Sequence, residues 1–287
     1  MIVTGQAKLA GVIGWPVSHS LSPALHGFWL EEHGVDGAYL PLAVRREDFS
    51  RAIDALRRMH FVGVNVTIPH KEAAFALADD LSKDALAAGA VNLLLLEENR
   101  LIGHNTDAEG LRCSLAEALG TEWLKHQTAV VLGAGGAARS ALLACDRLGA
   151  DAISIVTRRK QRGTALRDAL QPKLGAPVTV FGWEEWPSAA ENARLLINAT
   201  SAGMKGRETL DLPLEHVAAG AAVCDLVYNP LPTELLRAAS ARGHRVVDGL
   251  GMLMHQAEPA FHAFYGIEPR VTPSLRARLE TVLQNAR

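Results

Sequence analysis

A stretch in the middle of the chain combines an apolar run with closely spaced small residues, a pattern that can bind a dinucleotide. The run Ala129–Leu132 leads into Gly133-Ala134-Gly135-Gly136-Ala137-Ala138, which fits the spacing G-x-G-x-x-G/A. Gly133 permits the turn from strand to helix, Gly135 lets a pyrophosphate approach, and Ala138 lets the helix pack closely. The start of that helix offers free N–H groups to phosphates. We expect pyrophosphate binding by Gly133, Ala134, Gly135, Gly136 and Ala137; the alternative is a glycine-rich turn that binds nothing.

A basic run follows the second strand of the same predicted β-α-β unit. An NAD site usually carries Asp or Glu about 20 residues beyond the glycines, whereas this chain reads Thr157-Arg158-Arg159-Lys160-Gln161-Arg162. A carboxylate would repel a ribose 2′-phosphate, while guanidinium groups would bind it. The run therefore predicts NADP as the cofactor. The alternative is a solvated basic helix start, although its charges would oppose the helix dipole.

Four polar loops in the first part of the chain could bind a small polar ligand. They are Gly14–His26, Gly63–Lys71, Gly89–Asn92 and Gly103–Asp107. The second loop follows an apolar strand, and ligands bind at the carboxyl ends of strands in α/β sheets. Each loop alone has a simpler explanation. Ser22-Pro23 suits the N-cap and first position of a helix, Asn105–Asp107 suits another cap, and a lone lysine is usually a solvated charge.

Together the four loops resemble the shikimate dehydrogenase family of NADP-dependent enzymes. The resemblance runs over nearly the whole chain, because Ile197–Met204, Asp225–Pro230 and Gly249–Ala257 match further motifs in the same order. It implies reversible reduction of 3-dehydroshikimate to shikimate by NADPH, a step of chorismate and aromatic amino-acid biosynthesis. It also implies an α/β fold with two domains around a cleft, an N-terminal α/β substrate domain and a Rossmann-like NADP-binding domain.

The resemblance assigns roles to individual residues. Lys71 and Asp107 match the catalytic pair, and Asp107 also counts as a substrate-binding residue. Ser20 and Ser22 match the pair that hydrogen-bonds the substrate carboxylate. The positions that contact the ring hydroxyls or shape their pocket are Asn65, Thr67, Asn92 and Gln256, with Tyr228 on the substrate side. The cofactor positions are Thr157, Arg158, Arg159 and Arg162 at the adenosine phosphate, and Leu226 and Gly249 near the nicotinamide.

The implied catalytic pair, Lys71 and Asp107, must exchange a proton with the substrate in both directions of the reaction. An ammonium group can stabilise the alkoxide that forms from the carbonyl and then donate a proton, as Lys71 could do. The reverse reaction needs a neutral amine, but a free lysine has a pKa of about 10.4. A carboxylate nearby favours the charged lysine, so we expect Asp107 to orient Lys71 and the hydroxyl, with the pair titrating as a unit. Which residue holds the proton stays open.

Two positions depart from the family pattern, and two alternative functions remain. Gly27 stands where Asn is common and Leu93 where Thr is common, which bears on substrate preference. One alternative is a quinate or aminoshikimate dehydrogenase, although quinate users often have Thr in place of Ser22. The other is a non-catalytic dinucleotide-binding regulator, which would have no reason to retain Lys71, Asp107 and the two serines.

Composition narrows the class of protein. The 287 residues suggest roughly two domains at about 150 residues each, and 48% hydrophobic with 21% charged residues indicate a soluble globular protein. A formal charge of -2 argues against a nucleic-acid partner. Cys113, Cys145 and Cys224 match neither a disulfide framework nor a zinc site, which fits a reducing cytoplasm, and no histidine pair has metal-ligand spacing. We expect no metal.

No membrane or targeting segment is expected. The stretch Leu9–Leu30 has no Asp, Glu, Lys or Arg, but two prolines and two histidines exclude a lipid-facing helix. The start, Met1–Ala10, lacks the pattern of a signal peptide. We therefore expect a cytoplasmic enzyme, a monomer or a homodimer, whose partner is a small-molecule substrate.

Short apolar runs alternate with amphipathic stretches, which predicts parallel sheets and crossover helices. The predicted strands are Leu9–Gly14, Ala38–Leu42, Val62–Val66, Val91–Leu96, Ala129–Leu132, Ala152–Val156, Val178–Phe181, Leu195–Asn198, Ala222–Asp225 and Arg245–Val247. The predicted helices include Glu47–Met59, Ala108–Leu119, Ala137–Leu148 and Arg159–Leu170, and residues 93–104 read as strand, tight turn and strand. We expect a substrate-binding and catalytic domain at 1–107, an NADP-binding domain at 108–248, and C-terminal helices at 249–287 returning to the first domain.

Overall fold

The computed structural model describes residues 3–285. They divide into two compact units, one with the chain up to Thr106 and the segment from Gln256 onward, the other with Asp107–His255. The first of these divisions falls beside the boundary expected at residue 107. The second lies inside a long helix, Gly249–Tyr265, whereas the sequence places a boundary just before that helix.

Within the described residues, twelve strands alternate with eleven α-helices. The strands are β1 (Lys8–Gly14), β2 (Gly37–Ala43), β3 (Phe61–Val66), β4 (Asp80–Leu81), β5 (Leu93–Leu96), β6 (Leu101–His104), β7 (Thr128–Leu132), β8 (Ala152–Thr157), β9 (Val178–Gly182), β10 (Ala193–Asn198), β11 (Ala222–Asp225) and β12 (Arg245–Asp248). The helices are α1 (Ser22–Glu32), α2 (Phe49–Arg58), α3 (Lys71–Leu77), α4 (Lys83–Ala88), α5 (Asp107–Leu119), α6 (Gly136–Arg147), α7 (Lys160–Leu170), α8 (Trp186–Ala190), α9 (Glu234–Ala241), α10 (Gly249–Tyr265) and α11 (Pro273–Asn285).

The sheet of the first unit is mixed. Its order is β2-β1-β3-β5-β6-β4, and β1 runs parallel to both β2 and β3. Strand β5 is antiparallel to β3 and β6. The general expectation of parallel sheets does not hold for this part of the sheet, whereas the strand, tight turn and strand predicted at residues 93–104 are present as β5 and β6. The reason is the short turn between β5 and β6, because two strands joined this closely can pair only in opposite directions.

The sheet of the second unit is entirely parallel, in the order β12-β11-β10-β7-β8-β9. Counted from β7 along the chain, this is the 3-2-1-4-5-6 order of a doubly wound dinucleotide-binding fold. The chain reverses direction across the sheet between β7 and β10, and ligands of such sheets bind beyond the strand ends at that switch point. The predicted α/β class is confirmed.

Each unit has its own apolar core. In the first, Ile13, Val64 and Leu94 of the sheet pack with Phe49 and Ile53 in one cluster. In the second, a cluster includes sheet residues Val130, Leu196 and Val223 together with Trp186 and Leu236. The packing of these apolar side chains fixes the positions of the strands, and therefore the positions of the polar loops that follow the strand ends.

Two predicted elements differ from the structure. The helix predicted at Glu47–Met59 begins as a separate 3-10 turn, Arg46–Asp48, before α2. Strand β4 has only two residues, which is too short to show a hydrophobic period in the sequence.

No helix among residues 3–285 is long and apolar enough to cross a membrane. The three cysteines are free thiols, two of them buried. The same residues contain no group of three or more His, Cys, Asp or Glu side chains placed to hold a metal ion.

Gly63 is a position where packing requires glycine. A Cβ added there would lie 2.5 Å from Cε1 of Phe264 and 2.7 Å from the backbone oxygen of Leu94 on the paired strand β5. That oxygen cannot move without disturbing the sheet. We expect Gly63→Ala to lower the free energy of unfolding by about 1–3 kcal/mol, measured by urea unfolding.

Gly27→Ala is the matched control. Gly27 lies inside α1, and a Cβ there would meet nothing within 4 Å. Alanine is the better helix former, so this variant should gain roughly 0.5–1 kcal/mol. A Gly63→Ala protein as stable as its parent would show that the sheet tolerates a Cβ at this point.

Candidate functional site

The glycine-rich loop lies at the carboxyl end of β7. Gly133 has a φ of 105°, and an added Cβ would lie 3.0 Å from Cγ2 of Thr200, so both backbone and space require glycine. Gly135 occupies the N-cap of α6, and a Cβ on Gly135 or Gly136 would meet nothing within 4 Å. The helix start is therefore open to a ligand, and its free N–H groups suit an anion. Ala138 is 0% exposed beneath it.

A cluster of unpaired positive charge follows β8. Thr157 ends that strand and is buried, while Arg158, Arg159 and Arg162 are exposed and make no ion pair with any residue from 3 to 285. By contrast, Lys160 in the same run pairs with Glu185 at 2.7 Å. Three guanidinium groups without an ion pair at a helix start repel one another and oppose the helix dipole. A bound phosphate would neutralise them, so the cluster is better explained as a phosphate site than as an ordinary solvent-facing surface.

Arg158 also lines a cavity of about 490 Å³ in the second unit. Thr200 and Ser201 contribute hydroxyls to the same cavity, and Trp183 contributes an aromatic ring. Sequence reasoning assigned no role to either hydroxyl residue. The signal was available, because both follow β10, the neighbour of β7 at the switch point of the sheet.

The remaining predicted residues of the second unit lie after β11 and β12. A Cβ on Gly249 would overlap the backbone oxygen of Leu226, so glycine lets the start of α10 touch this loop. Tyr228 follows in the same loop, and burial raises the pKa of its phenol. The structure therefore brings Leu226 and Gly249 into contact.

Polar side chains of the first unit form a continuous hydrogen-bond network. Tyr39 Oη donates to Asn65 Oδ1 at 2.7 Å, and Asn65 Nδ2 donates to the carbonyl oxygen of Asn92 at 3.2 Å. Asn92 Nδ2 donates to Thr106 Oγ1 at 2.9 Å and to Gln256 Oε1 at 3.3 Å. Thr106 closes the network by donating its N–H to Asn92 Oδ1 and its hydroxyl to the Gln256 carbonyl, both at 2.8 Å. The network brings together the predicted side chains of Asn65, Asn92 and Gln256.

Tyr39 is a member of this network that the sequence did not reveal. Its ring stacks on His26 with centroids 3.9 Å apart, and the side chain of Ser22 lies close to the same phenol. His26 is fully buried, and desolvation lowers its pKa to about 3, so it packs as a neutral ring. Tyr39 lies outside every motif identified in the sequence. A tyrosine within an apolar strand is typical of the hydrophobic core, so nothing marked it as part of a site.

The structure corrects the role expected for Ser22 in its helix. Leu21 occupies the N-cap of α1 with a helical backbone, and no side chain caps it. Ser22 is the first helical residue, so its hydroxyl is not used for capping. Ser20 Oγ instead accepts the N–H of Ser22 at 3.3 Å. Ser22 is 8% exposed and Ser20 is half-buried.

Lys71 opens α3 and is half-buried. Its carbonyl accepts the N–H of Val91 at 3.0 Å, which places the start of α3 against the residue before Asn92. Thr67 follows β3 and donates its N–H to Ile13 at 3.0 Å. Asp107 begins α5 directly after Thr106 and is 9% exposed. The first unit thus holds the start of α3 next to the residue that precedes Asn92. The amine of Lys71 and the amides of the network are groups of the kind that can bind a polyhydroxyl compound and move a proton.

Comparison with known proteins finds relatives over nearly the whole chain. Residues 12–94 match the family model described as the shikimate dehydrogenase substrate binding domain. A curated relative from Rhodospirillum rubrum, named shikimate dehydrogenase (NADP(+)), is 48% identical over 277 residues, which covers 96% of this chain and 98% of the relative.

Solved structures agree over the same length. Shikimate 5-dehydrogenase from Thermus thermophilus, in complex with NADP(H) and shikimate, has a TM-score of 0.83 at 38% identity and covers 97% of this chain and 99% of its own. Quinate dehydrogenase from Corynebacterium glutamicum, in complex with NAD, has a TM-score of 0.86 at 30% identity, with coverages of 97% and 99%. The near full-length identity to the curated relative confirms the resemblance read from the motifs: this chain belongs to the shikimate dehydrogenase family.

Proposed function

We propose that this protein catalyses the reversible, NADPH-dependent reduction of 3-dehydroshikimate to shikimate in chorismate and aromatic amino-acid biosynthesis. One observation carries the proposal: a relative named shikimate dehydrogenase (NADP(+)) matches 96% of this chain at 48% identity. The polar network of the first unit and the unpaired arginines of the second support it.

The second unit is proposed to bind NADP. The loop from Gly133 to Ala137 takes the pyrophosphate, because its N–H groups are open at the start of α6. Thr157, Arg158, Arg159 and Arg162 take the adenosine phosphate, with Thr200 and Ser201 in the adjoining cavity. Leu226 and Gly249 lie near the nicotinamide. When bound, the cofactor supplies the hydride.

The first unit is proposed to bind the substrate. Ser20 and Ser22 donate to its carboxylate, while Asn65, Thr67, Asn92 and Gln256 face the ring hydroxyls, with Tyr228 of the second unit on the substrate side. The network limits what Asn65 can do. Tyr39 donates to its oxygen and the Asn92 carbonyl accepts one of its two amide protons, so at most one amide proton and one oxygen lone pair are left for a ring hydroxyl.

Lys71 and Asp107 are the proposed catalytic residues. As the substrate carbonyl becomes an alkoxide, the ammonium of Lys71 stabilises the negative charge and then donates a proton to that oxygen. In the oxidation of shikimate, Lys71 accepts the proton back from the hydroxyl. Asp107 binds the substrate and orients both Lys71 and the reacting hydroxyl.

The setting of the enzyme is also a proposal. Three free cysteines suit a reducing compartment, and a formal charge of -2 gives no attraction to nucleic acid. We propose a cytoplasmic enzyme, a monomer or a homodimer, whose partner is its small-molecule substrate.

An assay of shikimate and quinate side by side tests the proposed function. We expect shikimate oxidation with NADP, followed as NADPH absorbance, at a kcat/KM about 10–100-fold above that for quinate, which carries an extra hydroxyl at C1 and lacks the ring double bond. A preference for quinate would favour the alternative dehydrogenase. NADPH binding without turnover of either acid would indicate a regulator instead.

Lys71→Ala should lower kcat by at least about a hundredfold, because general acid–base groups contribute 10²–10⁴-fold. The dissociation constant for shikimate should change much less. Lys83→Ala is the matched control, since Lys83 is exposed and opens α4 as Lys71 opens α3. If both variants keep kcat within about threefold of the parent, Lys71 has no part in the mechanism.

Arg158→Ala should reduce the preference for NADP over NAD, which we expect to be roughly a hundredfold in kcat/KM from two contacts to the 2′-phosphate. KM should rise for NADP and stay nearly constant for NAD, and added salt should weaken the preference. Lys160→Ala is the control, because Lys160 already pairs with Glu185. Equal damage with both cofactors would mean that Arg158 does not read the phosphate.

A further inference from the structure

Three buried polar side chains lie at one edge of the parallel sheet in the second unit. Asn198 ends β10, Asp225 ends β11 and Thr233 precedes α9, and each is 0% exposed. Burial raises the pKa of the Asp225 carboxyl, which reflects the cost of placing a carboxylate out of water. None of the three is among the residues proposed to bind ligands, so the burial of these polar side chains calls for a different explanation.

Asp225 is the acceptor at the centre of the cluster. Its Oδ1 accepts from Asn198 Nδ2 at 2.9 Å and from the N–H of Val227 at 3.1 Å. Its Oδ2 accepts the Thr233 hydroxyl at 2.7 Å. Because an ionised carboxylate only accepts hydrogen bonds, every neighbouring donor must point towards it, and that fixes the loop containing Val227.

Asn198 extends the cluster to the other loop. Its Oδ1 accepts the N–H of Thr200 at 3.1 Å and the hydroxyl of Thr200 at 2.7 Å. Its Nδ2 also donates to the carbonyl of Ala202 at 3.2 Å. The amide therefore holds residues 199–202 on one side while it binds Asp225 on the other.

The two loops held in this way are the ones proposed to bind opposite ends of the cofactor. Thr200 lines the cavity beside Arg158 and lies against Gly133. Val227 lies between Leu226, near the proposed nicotinamide position, and Tyr228. Apolar side chains could bury the strand ends equally well, but they could not fix the direction of the loop N–H groups.

We propose that Asn198, Asp225 and Thr233 form a positioning cluster that sets the two loops, 199–202 and 226–228, at the separation that NADP requires. The inference rests on the proposed function for its ligand. The three side chains do not touch the cofactor; they act through Thr200 and through the backbone of Val227.

Thr233 is the residue through which the cluster can be tested. Its hydroxyl donates to Asp225 and accepts the N–H of Leu236 at 3.3 Å as the N-cap of α9, and it hydrogen-bonds neither loop. Any effect of Thr233 on cofactor binding must therefore pass through Asp225 or through the start of α9, and a second variant in α9 separates the two routes.

The experiment compares Thr233→Val, which keeps the side-chain shape without the hydroxyl, with Thr233→Ser, which keeps the hydroxyl. NADPH affinity is measured by fluorescence titration of the full chain. We expect Thr233→Val to raise the dissociation constant about fivefold, with KM for shikimate unchanged at saturating NADP. Thr233→Ser should remain within about twofold of the parent.

Leu235→Ala is the control for general loss of stability. Leu235 is a residue of α9 itself and is 5% exposed in the apolar core, so this variant should destabilise the helix and lower Tm while leaving the NADPH dissociation constant unchanged. The proposal is overturned if Thr233→Val binds NADPH like the parent, or if Leu235→Ala weakens binding as much. Failure of the parent to bind NADPH would instead count against the proposed function.

Discussion

The hydrogen bonds of Asn92 connect the elements that carry the polar network of the first unit. Its carbonyl accepts the N–H of Val66 at 2.8 Å and the side chain of Asn65 at 3.2 Å, while its own N–H donates to His104 at 3.0 Å. Its side chain then bonds Thr106 and Gln256. One residue thus links the ends of β3 and β6 with the C-terminal segment, so the network forms only when distant parts of the chain have folded together.

In the second unit, close backbone contacts also position the segments proposed to bind the ligand. Its parallel strands end at a common edge, and glycines at positions 133 and 249 let neighbouring segments approach as closely as atoms allow. Close approach leaves N–H groups free at the start of α6, and the arginines after β8 add charge that no carboxylate among residues 3–285 neutralises. A ligand with several phosphates is the chemical complement of both features.

The parts of the site that the sequence could predict are those encoded by local spacing. The dinucleotide-binding loop from Gly133 to Ala138 is made of consecutive residues, so its spacing can be recognised directly in the sequence. The strands of the second unit are apolar runs that are long enough to recognise. Tyr39 was beyond reach because its partner Asn65 lies 26 positions away and nothing local marks it. The strand, turn and strand predicted at residues 93–104 already indicate one antiparallel pair. The antiparallel pairing of β5 with β3 and the uncapped start of α1 follow from tertiary pairing and backbone geometry, which the spacing of apolar residues does not show.

The unpaired arginines also tie the survival of the folded protein to its surroundings. Like charges held together at a helix start work against folding until an anion arrives, and a ligand that binds only the folded chain stabilises it by about 2.7 kcal/mol at a hundred times its dissociation constant. That is a large share of the roughly 5–15 kcal/mol by which a typical domain is stable. A fall in the concentration of free dinucleotide would then lower the free energy of unfolding of this protein, and with it the fraction of the chain that is folded.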